Sequence, residues 1–251
     1  MKKQLLLCVL LFAMTPTLAQ ARWVDNWLLG ASLGYGDREA TLRTQSTPFL
    51  TNPDGDLIEF IPTQIHTDFT DKGFIQSIFG GYQAVCNRWL MGIELGIDWH
   101  HFDKIHPFLQ VDAFNPIVFE GFARYKRSGM IDISSRWGFA ITEYFMPYLR
   151  LGAEFGRDVF EIDFVPTLGN FGTSSTKQKH WTHRFLVGAG AEIPLPNTCG
   201  ATLRLEYGYH SKARSFVLES GTVPVPDIII FNTSIQPSTQ TVRLSLVWNF
   251  L

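Results

Sequence analysis

The chain has 251 residues, 18% of them charged, with a formal net charge of −2. That balance carries no large field of one sign and argues against a nucleic-acid partner. Aromatics at 14% and 21 glycines are both high for an ordinary domain, while the mean hydropathy is near zero.

Residues 1–21 read as a secretory signal. Lys2 and Lys3 form the charged start, Leu5 to Met14 the apolar stretch, and Ala19-Gln20-Ala21 the small-x-small cleavage site. The apolar stretch is shorter than the ~20 residues a membrane helix needs. The mature chain is therefore expected to begin at Arg22. Cys8 leaves with the signal, and its place behind three leucines fits no lipoprotein site.

From residue 22 to 251 a single domain is expected, with no linker and no low-complexity tail. Eight segments alternate apolar and polar side chains, the period of a strand whose faces meet different solvents. The first, Trp27 to Thr44, sets Leu29, Ala31, Leu33 and Tyr35 against Gly30, Ser32, Gly34 and Gly36. A long connection, Gln45 to Lys72, carries the breaker signals Pro48, Pro53, Asp54-Gly55 and Pro62. The second strand, Gly73 to Val85, alternates least clearly, with Phe74, Ile78 and Tyr82 on one face and Ile75, Phe79 and Val85 on the other. After the turn Cys86-Asn87-Arg88, the third sets Ile93, Leu95, Ile97 and Trp99 toward lipid and Gly92, Glu94, Gly96 and Asp98 inward.

A second long loop is expected from Asp103 to Tyr125. The fourth strand, Lys126 to Ile141, alternates Ile131, Ile133, Trp137 and Phe139 with Asp132, Ser134, Arg136 and Gly138. A short turn, Thr142 to Met146, precedes the fifth, Pro147 to Arg157, where Leu149, Leu151, Ala153 and Phe155 oppose Tyr148, Arg150, Gly152 and Glu154. The third long loop spans Asp158 to His180. On the sixth strand Phe185, Val187, Ala189, Ala191 and Ile193 face out, and Arg184, Gly188, Gly190 and Glu192 face in. Pro194 to Gly200 turns into the seventh, where Leu203, Leu205, Tyr207 and Tyr209 oppose Arg204, Glu206, Gly208 and His210. The fourth long loop runs from Ser211 to Pro237.

The eighth strand closes the chain with Val242, Leu244, Leu246, Trp248 and Phe250 at every second position. This ending resembles the outer-membrane assembly signal, with the aromatic displaced to the penultimate place by Leu251. Long and short connections alternate, which is the outer-membrane arrangement. The expectation is an all-β, eight-stranded, antiparallel up-and-down transmembrane barrel with four long extracellular loops and short periplasmic turns. A ten-strand count would need Ser215 to Glu219 and Asp227 to Thr233 to form another membrane hairpin; extensions beyond the bilayer are preferred. Tyr35, Trp99, Phe155, Trp181 and Tyr209 would ring one rim, and Trp27, Trp89, Tyr144, Phe145 and Phe250 the other.

The inward face then holds Glu94, Asp98, Asp132, Glu154, Glu192 and Glu206 with Arg136, Arg150, Arg184, Arg204 and Arg243. An eight-stranded barrel is just wide enough for side chains to fill. Balanced carboxylates and guanidiniums inside it should pair, because an unpaired buried charge costs several kcal/mol. Arginine suits this better than lysine through its bidentate fork.

Phe79-Gly80-Gly81-Tyr82-Gln83, Gly92-x-Glu94-x-Gly96-x-Asp98-Trp99, Arg150-Leu151-Gly152, Arg204-Leu205-Glu206-Tyr207 and Leu244-Ser245-Leu246 resemble, in order, blocks of the OmpA transmembrane barrel family. The resemblance implies a lumenal pair, Glu94 with Arg204, and alternative partners at Arg136 and Glu192 that gate a narrow conductance, with Glu206 in the same block. Arg136 stands where that family has lysine, and a bidentate arginine holds its partners more firmly. Family members with a peptidoglycan-binding domain continue past the barrel; none is expected here. The lumen charges read either as structural ion pairs or as a gated leak.

Three other chemistries compete with solvated or structural roles. His100-His101, Asp103 and His106 could offer metal ligands, yet adjacent histidines on a strand point to opposite faces. His210-Ser211 resembles the pair of outer-membrane lipid A deacylases, but an offset of one makes the side chains diverge. Cys86 and Cys199 fall in turns on opposite sides of the ring, whereas bridged Cα atoms lie within about 7 Å. Two free thiols are expected; a disulfide is the alternative an oxidising periplasm allows. The expected role is non-enzymatic: no cofactor, a monomer in outer-membrane lipid and lipopolysaccharide, with loops that meet host surfaces or phage. A small porin and a lipid-modifying hydrolase are the alternatives.

Overall fold

The computed structural model describes residues 23–51, 57–59, 63–111, 118–166, 174–196, 198, 200–213, 216–220 and 228–250. The expected signal segment and Cys199 lie outside these residues. Eleven strands follow in order: β1 (Asn26–Thr51), β2 (Leu57–Glu59), β3 (Thr63–Cys86), β4 (Trp89–His101), β5 (Ile105–Val111), β6 (Val118–Phe139), β7 (Met146–Pro166), β8 (Ser174–Pro194), β9 (Ala201–His210), β10 (Phe216–Ser220) and β11 (Ile228–Phe250). Eight of them, β1, β3, β4, β6, β7, β8, β9 and β11, pair antiparallel with their neighbours. Pairing of β11 with β1, from Trp27↔Phe250 to Phe49↔Ile228, closes the ring. The short strands β2, β5 and β10 add to β1, β6 and β11 at one end. Asp227 to Thr233 is thus no separate membrane strand, because its described part is the start of β11.

Alternation of side chains becomes alternation of environment. Along β4 every odd residue from Trp89 to His101 is exposed and every even one buried. Trp89 and Trp99 bound its apolar outer face. Ten residues at about 3.4 Å rise, tilted by about 40°, span about 26 Å, the height of an outer-membrane apolar band. The rim aromatics are exposed on the outside, Tyr35, Trp99, Phe155 and Tyr209 at one end and Trp27, Trp89 and Phe250 at the other. Trp27 meets Tyr82 edge-on at 5.2 Å, and Trp89 meets Phe139 at 5.0 Å. Beyond Tyr35 the outer face of β1 turns to Asp37 and Glu39.

The short turns obey local chemistry. Asn87 adopts φ 57° between β3 and β4, a left-handed conformation asparagine tolerates better than most residues. Gly200 takes φ 81° before β9. Cys86, at the first of these turns, is an exposed free thiol.

The expected long loops are shorter than the sequence suggested. The ladder continues through Gln45↔Gln64, Phe160↔Gln178 and Arg43↔Ser234, inside segments expected to be loops. Polar outer residues ended the predicted strands at the membrane, yet the inner face keeps an apolar core above it. Leu42, Phe69, Phe108, Ala123, Phe160, Ile162 and Ile235 pack there as one buried cluster. Gly121 makes room for it, since a Cβ at that position would lie 2.3 Å from the Phe108 ring. Pairing of β1 with β3 stops at Ser46↔Thr63, two residues before Pro48, which has no N–H to give a ladder. Phe160 is fully buried, and Phe160→Ala is expected to cost about 3–5 kcal/mol. Urea unfolding of the refolded barrel would show it as a lower midpoint.

Candidate functional site: a charged barrel lumen

Strand register stacks the inward charges in layers. In the first layer Glu192 on β8 lies directly opposite Arg204 on β9. Glu94 on β4 and Arg136 on β6 approach from the other side of the ring. Arg204 donates from Nη1 to Glu94 Oε1 at 2.7 Å and from Nε to Glu192 Oε2 at 2.8 Å. Arg136 donates to Glu192 and to Gln83, with its Nε 3.3 Å from Glu94 Oε1. Thr202 donates to Glu192 Oε1 at 2.6 Å. Both guanidiniums therefore bridge both carboxylates, and the four residues singled out from the sequence form one closed quartet. Partners that the OmpA resemblance implied as alternatives are engaged together.

Glu206 belongs to the next layer. It accepts from Arg150 Nη1 and from Tyr148 Oη, each at 3.0 Å. Arg150 also donates to Asp132 at 2.5 Å and to Ser134 at 2.9 Å, and Arg243 lies 2.7 Å from Asp98. A cavity with room for about one water lies between these two layers. Phe79 fills the lumen beside it, with its ring 5.4 Å from the Arg204 guanidinium. Gly30 permits this, because a Cβ there would sit 2.3 Å from the ring.

The third layer is one that sequence reasoning reached only in part. His210 Nδ1 lies 2.7 Å from Glu154, and Arg127 Nε lies 3.2 Å from Asp158. Arg184 donates to the Tyr125 hydroxyl at 2.6 Å, and Thr182 donates to Asp158 at 2.5 Å. Arg38 is held between the rings of Phe102 and Tyr125, 4.7 Å from each, and donates to Asp71 at 2.5 Å. Arg38, Asp71, Arg127 and Asp158 were missed. Extending the alternation of the first strand finds Arg38, and that of the fifth finds Asp158. Arg127 was hidden by a register shift between Arg127 and Met130 that inverts the parity of β6 above it.

The other sequence candidates do not converge. His100 points into the lumen, 4.0 Å from Asp98, while His101 is exposed. His106 stacks on Phe69 at 4.1 Å, and burial pushes its imidazole below the ordinary range. Asp103 stands outside, where the Arg124 hydrogen bond at 2.7 Å holds its carboxyl below the ordinary value. Among the described residues no group of three or more such side chains could hold a metal. His210 faces inward, whereas the Ser211 hydroxyl accepts from the Phe185 amide at 3.0 Å.

No curated protein matches the chain by sequence. Among solved structures it is similar to the outer membrane protease OmpT from Escherichia coli, at 9% identity and a TM-score of 0.43, covering 94% of this chain and 100% of that one. OprG from Pseudomonas aeruginosa is similar at 13% identity and a TM-score of 0.39, covering 87% and 96%. Ail of Yersinia pestis is similar at 13% and 0.28, covering 82% and 97%. The family model "Outer membrane protein beta-barrel domain" matches residues 5–250. Closed antiparallel ring, apolar belt and family match agree: the chain belongs to the outer membrane protein β-barrel domain family, and its place is the bacterial outer membrane.

Proposed function

We propose that this protein is a non-enzymatic surface barrel, closed to solutes, that presents its extracellular hairpins for contact with other surfaces or ligands. It is exported with residues 1–21 removed and stands as a monomer in outer-membrane lipid and lipopolysaccharide. The observation that carries this reading is the depth of the filling. From Glu192 at the quartet, through Arg150 and Glu206, to Asp158 and the apolar cluster around Phe160, successive buried layers occupy the lumen. Rigid strands supporting extracellular connections are the usual scaffold for binding. His210 Nε2 meets the Thr241 hydroxyl at 3.3 Å, and Ser211 Oγ accepts from the Phe185 amide; the two side chains are not joined as nucleophile and base, which speaks against a serine–histidine hydrolase.

Planar-bilayer recordings of the refolded protein test the closure, with Arg204→Ala alongside. Both are expected to stay silent, because Arg243–Asp98, Arg127–Asp158 and the apolar cluster still block the path above a weakened quartet. Discrete currents in the wild type would overturn the reading in favour of a narrow porin. Currents that arise only in Arg204→Ala would make Glu94–Arg204 a gate.

A further inference from the structure

The outer wall above the membrane is not uniform in charge. On β1 and β3, within three outward positions of the rim aromatics Tyr35 and Phe74, stand Asp37, Glu39 and Asp68. Lys72 on that wall is already 3.7 Å from Asp37. On the far wall, β6 to β8, the outward positions just above Phe155 and Phe185 are Arg157 and His183, followed by Trp181, Lys126 and Lys179. Register joins them: Arg157 lies directly opposite Trp181, and Val159 lies between Lys126 and Lys179. Directly opposed side chains on neighbouring strands start about 5 Å apart and diagonal ones about 7–8 Å. These side chains therefore form one patch.

Two carboxylates of this wall are engaged. Asp103 holds Arg124 and Lys126 at 2.7 and 2.9 Å, and Glu161 holds Lys177 at 3.3 Å. Among the described residues no carboxylate lies within ion-pair distance of Arg157 or Lys179. Trp181 is 73% exposed and Phe185 69%, so an apolar ledge lies under unpaired cations at the height of the outer-leaflet headgroups. Tryptophan favours that boundary, and a basic cluster beside it attracts anionic lipid.

We infer that the β6–β8 wall is a binding site for a phosphorylated glycolipid of the outer leaflet, with Arg157 and Lys179 on a phosphate and Trp181, Phe155 and Phe185 against the sugar–acyl junction. The inference rests on the membrane placement and is independent of whether the lumen conducts.

The test is native mass spectrometry of the full refolded chain in detergent, titrated separately with diphosphoryl lipid A, dephosphorylated lipid A, phosphatidylglycerol and inorganic phosphate. One diphosphoryl lipid A is expected to be retained, at least tenfold more tightly than any of the other three. The double variant Arg157→Gln/Lys179→Gln is expected to lose at least tenfold, Trp181→Leu to weaken retention, and Lys72→Gln on the opposite wall to change nothing. An unheated-gel mobility shift checks that each variant is folded. Equal retention by the double variant would overturn the site. Phosphatidylglycerol or phosphate held as tightly as lipid A would overturn the ligand and leave only general attraction of anions.

Discussion

Glu192→Ala is expected to lower the stability of the folded barrel by about 3–5 kcal/mol, the cost of leaving buried charge without its partner. Glu192 is fully buried and accepts from Arg136, Arg204 and Thr202. Without it two guanidiniums share Glu94 alone. Urea titration in lipid vesicles would show the change in midpoint. The double replacement Arg136→Met/Glu192→Met removes one charge of each sign and keeps volume, so most of the loss should return. Arg204 would then retain Glu94 at 2.7 Å. A loss below about 1 kcal/mol in Glu192→Ala would mean that the quartet is weakly coupled to folding, since an exposed pair contributes no more than that.

The second large effect lies on the other face. Leu95 is 58% exposed near the middle of the β4 outer face, where the neighbours are Ile93 and Ile97. Leu95→Arg is expected to destabilise the membrane-inserted state by about 2–4 kcal/mol, the cost of arginine near the bilayer midplane. Glu39→Arg, above the belt on β1, should stay within about 0.5 kcal/mol. Unfolding of both variants from the same lipid vesicles gives the comparison. Equal effects at Leu95 and Glu39 would contradict the height assigned to the apolar band.

Strand identity inside the membrane was legible because period two was enforced there by two solvents. Leu29 to Tyr35, Ile93 to Trp99 and Val242 to Phe250 could be assigned to faces residue by residue. Even the weakly patterned third strand of the structure follows one parity, with Ile75 and Phe79 buried and Phe74 and Ile78 exposed. Two apolar faces blurred it. Above the membrane the outer face meets water and the inner face an apolar core, so the outer residues lose their apolar signal while the inner ones carry it. That is why Thr63 to Lys72 and Val159 to Pro166 read as loop, although Phe69, Phe160 and Ile162 pack inside. The members of the quartet were legible as inward charges, but their joint bonding was not. Sequence gives parity within a strand, whereas Arg136 meets Glu192 across the ring through side-chain length. The shift at Arg127 is marked only by Gly129 within the strand pattern, the residue type that signals a bulge.

The continuation of the ladder past the membrane sets a stand-off distance. From Tyr35 at the rim to Phe49, β1 stays paired for fourteen residues, which at about 3.3 Å rise and a tilt of about 40° lifts the hairpin about 35 Å. A sheet backed by its own core holds that height as a stiff pillar, where a loop of equal length would collapse onto the sugars around it. A large partner can therefore dock on the tips while the lipid headgroups stay covered. The base of the same pillar remains in reach only of molecules that belong to the leaflet.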